Sequence, residues 1–61
     1  MTLKEKYVGK TIEVYTPFGR LVHRGKVTDV VDDEAICFTI EGTDIETAVY
    51  LSDGIKVKIV A

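Results

Sequence analysis

Residues able to do covalent or proton-transfer chemistry are scarce in this chain: one histidine, His23, and one cysteine, Cys37. General acid–base catalysis needs a second positioned group beside an imidazole, and nucleophilic catalysis needs a Ser or Cys activated by a neighbouring base. Cys37 falls in a segment expected to be covered, where a free thiol packs as a small hydrophobe. His23 reads as a strand residue. Asp29, Asp32, Asp33 and Glu34 could offer oxygens to a hard cation, but the Asp-x-Asp-x-Asp-Gly spacing with its closing Glu is missing. Acids at a strand–strand turn are ordinary turn formers. With no phosphate-cradling loop, cofactor motif or metal-ligand set, the expectation is a non-enzyme with no metal, no cofactor and no small-molecule substrate.

The densest basic group is Arg20, His23, Arg24 and Lys26, with Tyr15 and Phe18 nearby. Cations interleaved with aromatics suit single-stranded nucleic acid, where Arg and Lys meet phosphate and rings stack on bases. Period two puts Arg20, Arg24 and Lys26 on one strand face unless a bulge at Gly25 breaks the register. The competing reading is a solvated outer face. The wider charge pattern is divided. Residues 1–28 carry six Lys/Arg against Glu5 and Glu13, while residues 29–61 carry eight Asp/Glu against Lys56 and Lys58. Such a division either marks an electrostatic interaction face or scatters charge for solubility.

The elements that must position these groups belong to a very small protein. The 61 residues are 46% hydrophobic and 30% charged, with net charge −2. That supports one domain over residues 1–61, near the lower size limit of independent folding. A lone cysteine makes no internal disulfide and no zinc set is present, so association between copies is the remaining common source of extra stability. No apolar run approaches the roughly 20 residues of a membrane-spanning helix. The opening Thr2-Leu3-Lys4-Glu5-Lys6 lacks a signal-peptide stretch, so no membrane partner and a cytoplasmic location are expected.

Thr2-Leu3-Lys4-Glu5 has the form of a capping box and predicts a short helix ending at Tyr7 or Val8, before Gly9. Ile12, Val14 and Thr16 alternate with Glu13 and Tyr15 as in a half-buried strand. Pro17-Phe18-Gly19 is a turn. A long strand follows from Arg20 to Val31, with Gly25 as its expected bulge or bend. After the turn Asp32-Asp33-Glu34, a third strand runs from Ala35 to Ile40 and a fourth from Thr47 to Leu51. Ser52-Asp53-Gly54 predicts a tight hairpin into a last strand carrying Ile55, Val57 and Ile59. Five short strands, one bent at a glycine, predict an all-β, five-stranded, bent SH3-like barrel with a short N-terminal helix. Ala48-Val49-Tyr50-Leu51 is apolar on both faces, so this strand must be covered by the helix or paired with a neighbouring copy.

In this order, these residues resemble the Sm-like (Lsm) family. Leu3 and Tyr7 in a short helix, Val8-Gly9-Lys10-Thr11-Ile12-Glu13-Val14, Gly19-Arg20, Gly25, Val27 and the pair Asp32-Asp33 are similar to its first motif. Val49-Tyr50-Leu51-Ser52-Asp53-Gly54-Ile55 looks like its second. The resemblance implies a bent five-stranded barrel forming a homo-oligomeric ring by fourth-to-fifth strand pairing, with Val49, Tyr50, Leu51, Ile55 and Val57 at the interface. It also implies single-stranded RNA as ligand. Departures fall on the RNA positions. The family has an Asn after the acidic residue, and this chain contains none. The family's Arg-Gly is Asp53-Gly54 here, and the spacing from Gly19 to Gly25 is one residue longer. Asp32, Asp33 and Asp53 around a pore would repel RNA, which leaves Arg20, Arg24 and Lys26 for it. The alternative is a monomeric SH3-like barrel that binds a protein partner.

Overall fold

The computed structural model describes residues 2–61. The Thr2 hydroxyl accepts the Glu5 N–H at 3.2 Å and starts helix α1, Leu3–Tyr7. Five helical residues do not hold themselves together. What holds α1 is burial of Tyr7 and packing of Leu3 on the core, with the helix lying against the long second strand. That strand is β2, Leu21–Val31; the others are β1, Thr11–Tyr15, β3, Ala35–Ile40, β4, Glu46–Tyr50, and β5, Lys56–Ile59. All pairs are antiparallel, in one sheet of order β4-β3-β2-β1-β5.

Alternation does what the sequence predicts on the inner face. Ile12 and Val14 of β1, Ile36 and Phe38 of β3 and Val27 of β2 are almost wholly buried, and Val49, Leu51, Ile55 and Val57 pack around them. Large-to-small substitution at such a site costs about 3–5 kcal/mol for a Phe. That is comparable to the whole stability of a domain this size, about 3–9 kcal/mol.

Gly25 is not a bulge. It pairs regularly with Ile12 on one side and Ile40 on the other. The extra residues are Val22, skipped between the partners of Val14 and Tyr15, and Thr28, skipped between the partners of Phe38 and Cys37. Glycine is required at 25 for another reason: a Cβ there would stand 2.0 Å from the Thr39 carbonyl oxygen and 3.0 Å from Phe38 Cδ2. The β3 backbone fills the space a side chain would need at this point, and only a missing side chain admits it.

Two other expectations change. Ser52-Asp53-Gly54 is not a hairpin. Leu51–Asp53 form one turn of 3-10 helix closed by Gly54 in the left-handed region (φ 79°), and β5 pairs with β1, not β4. The Asp-Gly signal correctly marks a reversal but says nothing about which strand the chain joins next. The expected barrel is therefore an open sheet with β4 and β5 as its edges. In a flat sheet those edges would lie roughly 19 Å apart. A link of residues 51–55 with a 3-10 turn reaches about 16 Å at most, so the sheet curls. The helix does not cover β4; its partner is β2. At the β2–β3 turn, Asp32 and Asp33 both adopt positive φ (55° and 54°) and the Glu34 N–H donates to the Val31 carbonyl at 3.0 Å. This is the left-handed pair that a type I′ turn demands.

Two stability changes follow. Gly25→Ala forces β3 off β2 and lowers unfolding free energy by roughly 2–4 kcal/mol in chemical denaturation; a loss under 0.5 kcal/mol would mean that the close approach does not exist. Asp33→Gly removes the cost of a left-handed non-glycine residue and raises stability by about 0.5–1 kcal/mol in the same assay.

Candidate nucleic-acid and assembly surfaces

Alternation along β2 sets His23 apart from Arg24 and Lys26, and the bulge at Val22 takes Arg20 out of register with that pair. Beyond the bulge, His23 faces inward with Val14 as partner, its ring 5.7 Å from that of Phe38 at an interplanar angle of 56°. Arg24 and Lys26 face outward, while Arg20 precedes the strand in the turn. Phe18, at the tip of that turn, is 96% exposed. Of the six residues singled out for nucleic acid, the structure places Tyr15, Arg24 and Lys26 on one outer face, Arg20 and Phe18 on the turn, and His23 against the core edge.

That outer face is less basic than its sequence. Arg24 Nε lies 2.9 Å from Glu41 Oε2, because Glu41 follows directly on the strand paired beside Arg24 and donates its own N–H to the Arg24 carbonyl. Arg24 Nη1 also approaches Glu13 Oε2 at 4.0 Å. The Tyr15 hydroxyl donates to Glu13 Oε1 at 2.8 Å, and this bond, reinforced by desolvation and the Glu13 charge, raises the phenol above its ordinary pKa. A guanidinium held between two carboxylates must break those contacts to take a phosphate. Lys26 is free of ion pairs among the described residues and sits between Thr11 and Thr39 in the ladder. It lies in an open depression of about 560 Å³, bordered also by Thr28, Thr43 and the Arg24–Glu41 pair. Cation plus hydroxyls can hold a phosphate weakly and without base discrimination.

Sequence reasoning passed over two contributors to this face. Lys56 and Lys58 stand opposite Tyr15 and Glu13, so Lys58, Glu13 and Arg24 form a cross-strand row. The alternation in β5 shows that both lysines point outward, but nothing local shows that β5 lies beside β1.

The acidic positions gather at another end of the molecule. The Leu51 N–H donates to the Glu34 carbonyl at 2.9 Å, which ties the Asp32-Asp33 turn to the segment carrying Asp53 and Gly54. A Cβ on Gly54 would meet Pro17 Cγ at 3.4 Å, so the Phe18 turn borders the same end. Among the described residues, no three His, Cys, Asp or Glu side chains converge as a metal site requires, and no helix is long and apolar enough to cross a membrane.

The residues assigned to a subunit interface divide as well. Val49, Leu51, Ile55 and Val57 pack on their own core, and only Tyr50 is turned outward, 53% exposed. What the edges of β4 and β5 offer instead is main chain: each has a neighbour on one side only. No protein-family model, no curated protein and no solved structure matches this chain. The site is therefore argued from its geometry.

One further charged contact anchors α1. Asp29 accepts the Val30 N–H at 2.8 Å and lies 3.3 Å from Lys4 Nζ; the backbone bond first, and Lys4 second, pull its carboxyl below the ordinary pKa. A carboxyl with a depressed folded-state pKa stabilises the fold above its unfolded pKa, and that stability is lost as pH falls through the folded value. Asp29→Asn thus flattens the loss of stability on the acid side, below about pH 4, while leaving the neutral-to-alkaline profile parallel to wild type. Melting temperatures across pH 2–7 check this, and an unchanged acid limb would count against the contact.

Proposed function

We propose that this chain is an Sm-like small barrel that assembles edge to edge into a homo-oligomeric ring and serves as a scaffold or nucleic-acid-binding module. The observation that carries the reading is the strand order, which leaves β4 and β5 as two unpaired edges of one curled sheet joined by a short 3-10 link. An exposed strand edge offers its N–H and C=O groups to another strand, and a chain lacking disulfides or metal gains stability by accepting one. In such a ring Asp32, Asp33 and Asp53 of every copy gather at the same end, where their summed charge opposes RNA. Nucleic acid is left with the weaker outer face of Lys26, because the turn carrying Phe18 and Arg20 borders the acidic end. The scaffold role is thus the better supported of the two. Exposure of Phe18 favours one second reading, a monomeric SH3-like module whose turn docks a protein partner.

Light scattering at tens of micromolar chain separates these. A mass of several chains is the expected result; a clean monomer removes the ring and leaves the docking module. Titration with oligo(U) and oligo(A) at low salt then assigns the role. Binding that weakens steeply with salt marks phosphate contacts, and silence at low salt leaves the scaffold.

A further inference from the structure

The two free edges of the sheet differ in charge. On β4, Thr47 and Val49 are partly covered, so Glu46, Ala48 and Tyr50 face outward. On β5, Val57 is the covered residue and Lys56 and Lys58 face outward. The three ion pairs among the described residues join Lys4 to Asp29 and Arg24 to Glu13 and Glu41; none involves Glu46, Lys56 or Lys58. Glu13, the carboxylate opposite Lys58, is already engaged by Arg24 and Tyr15. Glu46 uses one oxygen, Oε2, to accept the Thr28 hydroxyl at 2.7 Å, which fixes its direction on the outer face. One edge therefore carries an anion without a cation, and the other carries two cations without an anion.

We propose that the edge-to-edge assembly described above, on which this inference rests, is keyed by charge: the β4 edge of one copy receives the β5 edge of the next with Glu46 against Lys58. Antiparallel pairing with Thr47 directly opposite Val57 on the inner face sets Glu46 opposite Lys58 and Ala48 opposite Lys56. The same register lays Ile45, 61% exposed, against Ile59, 37% exposed. A slip of one residue would turn covered side chains outward. Pairing β5 with β5 would bring like-charged lysines together across the ladder. Pairing β4 with β4 would leave every β5 lysine without a carboxylate. The contact is therefore heterologous, each copy giving a different edge, which is the geometry that closes rings.

The test is sedimentation or light scattering of wild type, Glu46→Gln, Lys58→Gln and the double variant over a salt series, with melting curves showing that each is folded. Gln at 46 keeps an acceptor for Thr28. The wild-type assembly midpoint should move to higher concentration between about 0.05 and 1 M salt, where the screening length shrinks to about 3 Å. At low salt each single variant should raise that midpoint roughly two- to fivefold, and the double should be no worse than either single, as for partners in one contact. Wild type that assembles with no salt dependence, and variants that match it, would overturn the charge key while leaving the assembly standing. Tighter association of Lys58→Gln would also overturn it, since the lysine would then be guarding the edge against pairing. A monomer at every salt removes the assembly itself, and the key with it.

Discussion

The Thr39 carbonyl oxygen occupies the space in front of Gly25 where any side chain would stand, and most of the architecture depends on that intrusion. It lets the β3 backbone press close against β2, as a sheet must that curls around the Phe38, Ile12 and Ile36 side chains instead of lying flat on one side of them. Curling in turn brings the far edges near enough for residues 51–55 to join them, and α1 covers the part of the core beside β2 through Tyr7 and Leu3. A core of so few fully buried residues leaves little margin. Thr28 contributes from the outer side, its hydroxyl reaching across β3 to Glu46 and holding the β4 edge to the sheet.

Much of this was legible in the residues. The Thr2 cap, the alternation of Ile12 and Val14, the bulky face of Ile36 and Phe38 and the turn at Pro17-Phe18-Gly19 are local signals, and local physics decides them. Local signals failed where the answer depends on a distant partner. The segment at Asp53-Gly54 reverses the chain as its composition says, yet β5 continues beside β1, some forty residues earlier in sequence. Nearness in sequence groups His23 with Arg20, Arg24 and Lys26, but alternation turns His23 to the other face from Arg24 and Lys26, and the extra residue at Val22 takes Arg20 out of register with them. The glycine at 25 stands out in the sequence, but the reason for it is a neighbouring backbone, which no sequence pattern displays.

The same distinction governs the candidate surfaces. A tally of cations made the first half of the chain basic, but pairing across strands decides which of them are available. Arg24 is taken by Glu41 and Glu13, while Lys26, Lys56 and Lys58 make no ion pair among the described residues. The acids gain by proximity what the bases lose: one hydrogen bond from Leu51 to Glu34 joins two acidic stretches some twenty residues apart. Pairing across strands thus decides which charges stay available, which neither the net charge of −2 nor its division between halves reveals.

The short passage from Leu51 to Ile55 works as a tether of set length between the two borders of the sheet. A slackened tether would let the borders splay, and a tightened one would pull them together, while Leu51 and Ile55 at its two ends stay packed on the core. Curvature is thus adjustable through the exposed Ser52-Asp53-Gly54 stretch, one residue at a time. In a closed assembly built through those borders, the angle between them determines how many copies complete the circle. In the proposed ring, loop length at this single place would be a dial on copy number, separate from the chemistry of the contact itself.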